Sequence, residues 1–153
     1  MDSLIIQFFV PGIGRTAGSK SAFKDRRGKV HLTHAGKYSK GWMDKVSWFA
    51  LKEHGQRTVL LTCPISLKLT FFQKRPSGHY RTGRYAGLLK DSAPKYPTSK
   101  PDLTKLIRAA EDALTGIIWK DDSQIVKQDT KKVYCGPKDK IGVYIEIAHI
   151  QND

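Results

Sequence analysis

The chain has 153 residues and carries 27 Lys+Arg against 14 Asp+Glu, a formal net charge of +13, with only two cysteines. That length suits one domain with a real core, spanning residues 1–153. The charge favours a polyanionic partner, nucleic acid ahead of an anionic membrane surface, while the isolated Cys63 and Cys135 exclude a disulfide framework or a CxxC metal motif.

Residues 4–10 (LIIQFFV) read as a buried strand that Pro11-Gly12 stops. This apolar run lacks a basic flank, and nothing elsewhere approaches the ~20 apolar residues of a membrane span, so a soluble protein of the cytoplasm is expected, with no membrane partner. Residues 22–33 (AFKDRRGKVHLT) read as a hairpin turning at Asp25-Arg26-Arg27-Gly28. Trp42, Val46, Phe49 and Ala50 recur at helical spacing between residues 38 and 54, with Gly55 as the stop. Residues 65–72 (ISLKLTFF) alternate as a further strand, and the chain is irregular from 73 to 100. Pro101 then opens the clearest helix: Leu103, Leu106, Ile107, Ala110, Ala113 and Leu114 share one face, and Gly116 ends it. Residues 124–134 and 141–149 predict two last strands, with Cys63 and Cys135 as buried thiols in strand-like surroundings. The order β, hairpin, α, β, α, β, β predicts an α+β domain, a small mixed or antiparallel sheet with two main helices packed on it.

Charge is placed unevenly along this order. Residues 1–101 carry a net charge of +14 and residues 102–153 a net charge of −1, with Asp102, Glu111, Asp112, Asp121 and Asp122 gathered in one stretch. A protein that only coated DNA gains nothing from carboxylates near phosphates, because like charges repel; a divalent cation between them reverses that logic. Asp102 falls at the edge of the helix's apolar arc, and a chain reversal after Gly116 would return Asp121 and Asp122 alongside the helix N-terminus. Two carboxylates from different elements, completed by waters and a phosphate, suit Mg²⁺ and phosphodiester hydrolysis. The structural alternatives are an acid favourable to the helix dipole at Asp102 and turn residues at Asp121 and Asp122. Glu111 and Asp112 face away from the apolar stripe and read as a solvated face.

The stretch Lys100-Pro-Asp-Leu-Thr-Lys-Leu-Ile-Arg-Ala-Ala-Glu-Asp-Ala-Leu-Thr-Gly116, followed by Ile-Ile-Trp-Lys-Asp-Asp-Ser-Gln-Ile-Val126, resembles the RusA family of Holliday junction resolvases. The resemblance implies a small dimeric α/β fold and Mg²⁺-dependent symmetric nicking of four-way DNA junctions, with Mn²⁺ as a possible substitute. It gives Asp102 and Asp122 the place of catalytic aspartates, Asp121 that of a neighbouring metal ligand, and Arg108 the place of a functionally important lysine. Thr104 stands where the family pattern carries a further carboxylate.

Two basic segments complete the reading. Residues 74–101 hold seven Lys/Arg, one Asp and three Tyr, a loop whose Arg81 and Arg84 suit phosphates and whose Tyr80, Tyr85 or Tyr96 suit exposed bases. The hairpin arm supplies Lys20, Arg26 and Arg27, while Lys105 and Lys120 stand beside the acids. A mobile solvated loop is the alternative for residues 74–101. For the whole chain the competing functions are a catalytically silent nucleic-acid-binding protein and a metal nuclease acting on other branched DNA.

Overall fold

The computed structural model describes residues 2–16, 20–34, 39–54 and 59–151. Its elements are β1 (Asp2–Pro11), β2 (Lys20–Lys24), β3 (Val30–His34), α1 (Ser39–His54), β4 (Ile65–Gln73), α2 (Leu103–Leu114), β5 (Ile125–Tyr134) and β6 (Gly142–Ile150). The expected α+β order is the observed one. The expected stop at Gly55 lies outside the described residues.

Four strands form one mixed sheet in the order β1-β6-β4-β5, and β2 and β3 form a separate hairpin. Only β4 and β5 run parallel; α2 lies in the connection between them, the arrangement a parallel pair requires. Period-2 patterning decides which face is covered. Ile6, Phe8 and Val10 of β1, Ile65, Leu67, Leu69 and Phe71 of β4, and Val143, Ile145 and Ile147 of β6 are buried with residues of the two helices in one core. Burying each such large side chain stabilises the fold by roughly 1.5–3 kcal/mol. From α1 the core takes Trp42, Val46 and Ala50, and from α2 it takes Leu106, Ala110, Ala113 and Leu114, the apolar arc read from sequence. The small alanines let the helices approach closely, and the Ser47 hydroxyl donates to the Ala113 carbonyl at 2.7 Å across them.

Trp48, by contrast, is 56% exposed on α1. Cys135 is buried, but Cys63 is only half-buried, because it sits in a bend before β4 rather than within a strand. Pro101 precedes the helix rather than opening it: Asp102 is the N-cap and Leu103 the first helical residue. No helix among the described residues is long and apolar enough to cross a membrane.

Where β6 meets β1 at Gly142, there is no room for a side chain. A Cβ added at Gly142 would overlap the Val10 carbonyl oxygen and the Phe9 ring. Gly142→Ala is therefore expected to lower unfolding stability by about 1–3 kcal/mol, the usual cost of overpacking, read from urea denaturation. An unchanged midpoint would show that β1 and β6 separate freely at this point.

Candidate active site

The turn after α2 is built from a short sequence in which each residue has a separate task. Thr115 caps the helix, and Gly116 adopts φ 79°, a left-handed turn that favours glycine. The Gly116 N–H then donates to the Trp119 carbonyl at 2.7 Å. Ile118 and Trp119 are fully buried, so the chain turns inward before its polar residues emerge. Asp121 caps a short 3-10 turn over Asp122–Gln124, its carboxylate accepting from the Ser123 N–H at 2.8 Å. Hydrogen bonds from the Ser123 side chain and then from its N–H hold the Asp121 carboxyl below the usual aspartate value.

Gln124 fastens this turn to the body. Its side-chain oxygen accepts from the Lys120 and Asp121 N–H groups, each at 2.9 Å, and its amide donates to the Leu61 and Cys63 carbonyls at 2.8 and 3.1 Å. Asp122 makes a different set of contacts. Its carboxylate accepts from the Thr115 hydroxyl and from the Trp119 indole N–H, the latter at 3.3 Å. Both donors are neutral, so Asp122 is oriented without being charge-compensated by them.

Asp102 lies at the other end of α2. It makes no side-chain capping bond, and its carboxylate meets the Lys105 ammonium at 3.4 Å, with both side chains about half exposed. The surrounding cleft, about 370 Å³, is lined by Ile13, Gly14, Arg15, Thr16, Lys100, Pro101, Asp102 and Lys105. One acid among three cations makes a pocket suited to a phosphate rather than to a neutral ligand.

The two ends do not meet in one chain. Thr115, the contact of Asp122, is 13 positions along the chain from Asp102, and at 1.5 Å rise per residue that is about 20 Å. The expected return of Asp121 and Asp122 to the helix N-terminus does not occur. Both residues stand before β5, and it is the far end of β5 that reaches Asp102: Lys132 Nζ donates to the Ser99 and Pro101 carbonyls at 2.7 and 3.0 Å. Among the described residues no group of three or more His, Cys, Asp and Glu is placed to hold a metal ion.

The acid that does stand near Asp122 is Glu111, which the helical pattern assigns to a solvated face. It is half-buried between α2 and β5, where Gln128 Nε2 donates to its carboxylate. Burial first, and then the charges of Asp122 and Asp112, raise its pKa above the ordinary 4.5. Nothing in the spacing announced this, because it depends on where β5 passes.

The basic residues divide by task. Arg108 is exposed midway along α2, and Lys120 is exposed beside the acidic turn. Arg84 is exposed with its guanidinium 5.8 Å from the Tyr85 ring centroid, and Arg26 and Arg27 are exposed in the hairpin turn. Lys20 opens β2, and its side chain lies outside the described part. Arg81 is a brace of its own loop, donating to the Leu89 carbonyl at 3.2 Å and pairing with Asp91 at 3.0 Å. The segment between β4 and α2 is ordered by short 3-10 turns and by Arg75. This buried guanidinium donates to the Cys135 and Pro94 carbonyls at 3.2 and 2.7 Å and lies 5.1 Å from the Tyr134 ring centroid. Sequence reasoning passed over Arg75 as one more loop cation, and over Arg15 and Lys100 as neighbours of Asp102.

Comparison with known proteins points the same way as the acids. The family model Endodeoxyribonuclease RusA matches residues 15–148. The Uncharacterized protein YqaN of Bacillus subtilis (strain 168) is 32% identical over 114 residues, which cover 71% of this chain and 74% of that protein.

The position of Glu111 has a measurable consequence. Its folded-state pKa is raised, so its protonated form favours the fold: the stability it contributes is full below 4.5 and is lost as pH rises through the folded value. Glu111→Gln is therefore expected to raise the thermal midpoint at pH 7, with the gain over wild type shrinking as pH falls toward 4. A variant less stable than wild type at pH 7 would contradict this placement.

Proposed function

We propose, from the premise that this chain belongs to the RusA endodeoxyribonuclease family, that it resolves four-way DNA junctions by paired symmetric nicks. In this reading it acts as a homodimer in the cytoplasm of a bacterial or phage-infected cell, in recombination and repair or in phage DNA processing. Mg²⁺ is the proposed cofactor, with Mn²⁺ as a substitute. The observation that carries the reading is Asp122: an exposed carboxylate held by two neutral donors in a chain of net charge +13.

The chemistry follows from the residues. Hydrolysis of a phosphodiester adds water at phosphorus and breaks one P–O bond, and the departing oxygen takes a proton. Mg²⁺, when bound, supplies activation of water and neutralisation of the phosphate. Asp102 and Asp122 are the proposed ligands, but the carboxylates of a single chain do not converge, so one chain alone does not fit the ion. Asp121, committed to capping its turn, is proposed to position Asp122 more than to bind metal itself. Arg108 presents a planar fork suited to two phosphate oxygens, a clamp and not a proton donor. Lys105 and Lys120, at the two ends of α2, are proposed to hold backbone phosphates, with Arg84, Lys20, Arg26 and Arg27 further out on the DNA path. Arg81 is proposed to shape the loop that carries Arg84.

A second reading has its own observation. Thr104, where the family pattern has a carboxylate, removes one potential ligand and favours a protein that binds junctions without cutting them. Cleavage of an end-labelled four-way junction, beside linear duplex and single strand, with Mg²⁺ or chelator, separates the two. The expected outcome is paired nicks on the junction alone, lost with chelator. Asp102→Asn and Asp122→Asn are each expected to lower cutting at least about 100-fold while junction affinity stays within about threefold, as for loss of groups that act in the transition state. Tight binding without nicks in Mg²⁺ or Mn²⁺ would establish the second reading.

A further inference from the structure

Both main helices share the core with one face of the sheet, and the opposite face carries three aromatic rings of its own. Phe9 of β1, Tyr144 of β6 and Phe72 of β4 have the parity opposite to the core residues of their strands, and they are half-buried rather than buried. We propose that this open face is a second nucleic-acid site, which binds an unpaired strand by stacking its bases on Phe9, Phe72 and Tyr144 and holding its phosphates with the lysines around them. The inference goes beyond the junction-cutting reading and does not rest on either acid.

Three adjacent strands bring the rings together. Phe9 pairs with Tyr144 in the register of β1 and β6, and Thr70, two residues before Phe72, pairs with Tyr144 in the register of β4 and β6. Gly142 occupies the β6 position opposite Phe72, and the Phe9 ring takes the space where its side chain would stand. That missing side chain lets rings from β1 and β4 meet across β6, with centroids 6.3 Å apart and planes at 59°. Tyr144 is fixed in turn: its hydroxyl donates to Gln7 Oε1 at 2.7 Å and lies 3.2 Å from Glu146 Oε2. Rings already restrained in this way lose little freedom when a base stacks on them.

The surroundings of the rings select the ligand. Phe9, Phe72 and Tyr144 line an open cavity of about 330 Å³ together with Lys138, Asp139 and Lys140. Asp139 accepts from the Gly136 N–H at 2.6 Å within its own turn, and the cavity keeps two lysines against one acid. Further along the same face Lys68, Lys127 and Lys131 accompany Asp129 and Glu146, so five lysines stand against three acids in all. Aromatic rings set among cations suit nucleotides: every base has a π face that stacks whatever its identity, and the cations meet the phosphates. In a duplex the bases are already stacked on one another, so such a face favours unpaired nucleotides.

The face is also placed to receive a strand from the cation-lined cleft. Phe72 and Gly142 border a further slot of about 190 Å³, which Ile13, Gly14 and Pro101 line as well. The same Ile13, Gly14 and Pro101 line the cleft at Asp102. A strand with one phosphate in that cleft thus has a continuous surface leading past Phe72 onto the rings.

The test is fluorescence anisotropy with a labelled oligothymidine and, beside it, a duplex of the same length at the same salt. Tyr144→Leu and Phe72→Leu are each expected to weaken oligothymidine binding roughly 5- to 150-fold, the range for loss of one stacked base, while duplex binding stays within about twofold. Tyr144→Phe, which keeps the ring and loses the hydroxyl, is expected to bind as the wild type does. The wild-type chain supplies a measurement that the folding of no variant affects: photocrosslinking to an oligonucleotide carrying 5-iodouracil should give adducts at Phe9, Phe72 or Tyr144. Unchanged oligothymidine affinity in both leucine variants, or adducts confined to Tyr80, Tyr85 and Tyr96, would overturn the proposal. So would a Tyr144→Leu chain that sediments at a smaller mass than wild type, since the face would then be a contact between copies. None of these outcomes touches the reading of Asp102 and Asp122, which the junction-cleavage assay decides by itself.

Discussion

Trp119 organises the acidic end of this protein. Its ring is fully buried, and its indole N–H points at Thr115 Oγ1, 3.0 Å away, and at the Asp122 carboxylate. A large apolar body with one polar tip holds the chain inward and aims a carboxylate outward. Paired bridges from Trp119 to Leu61 and to Thr115 join the turn to the chain entering β4 and to the end of α2. Because these contacts belong to the core, Asp122 inherits the rigidity of the core while remaining exposed.

The same constraint keeps two different charge environments apart. α2 has one end at Trp119 and the other in a cleft lined by Arg15, Lys100 and Lys105. The helix therefore acts as a spacer: carboxylates held by neutral donors beside Lys120 at one end, a carboxylate among three cations at the other. The anchor of the loop between β4 and α2, Arg75, is bound to the Pro94 carbonyl of the same loop and to the Cys135 carbonyl just after β5. A cation used as an internal brace fixes the path of the exposed cations around it. Total charge alone does not distinguish these two uses.

Much of this was legible from residue types. The α2 arc, the alternation of β4 and β6, and the Trp-Lys-Asp-Asp-Ser-Gln turn all have local causes, and local causes leave periodic or capping signatures. The family resemblance rested on the same stretch. What was not legible depended on where distant segments pass. The return of Asp121 and Asp122 to the start of the helix failed because β5 begins beside the helix end and only its far half, at Lys132, comes back. Glu111 looked solvated because β5 was not yet placed against it. Arg75 and Arg81 looked like free cations because their carbonyl and carboxylate partners lie in other turns of the same loop and, for Arg75, also at Cys135 beyond β5.

The central claim is that Asp122, aimed outward from the core by Trp119 and Thr115, is a ligand for a divalent cation. The most direct measurement is a crystal of the protein grown with Mn²⁺, with the ion located from its anomalous scattering. The account predicts a peak within coordinating distance of the Asp122 carboxylate. A peak remote from Asp122 would contradict it.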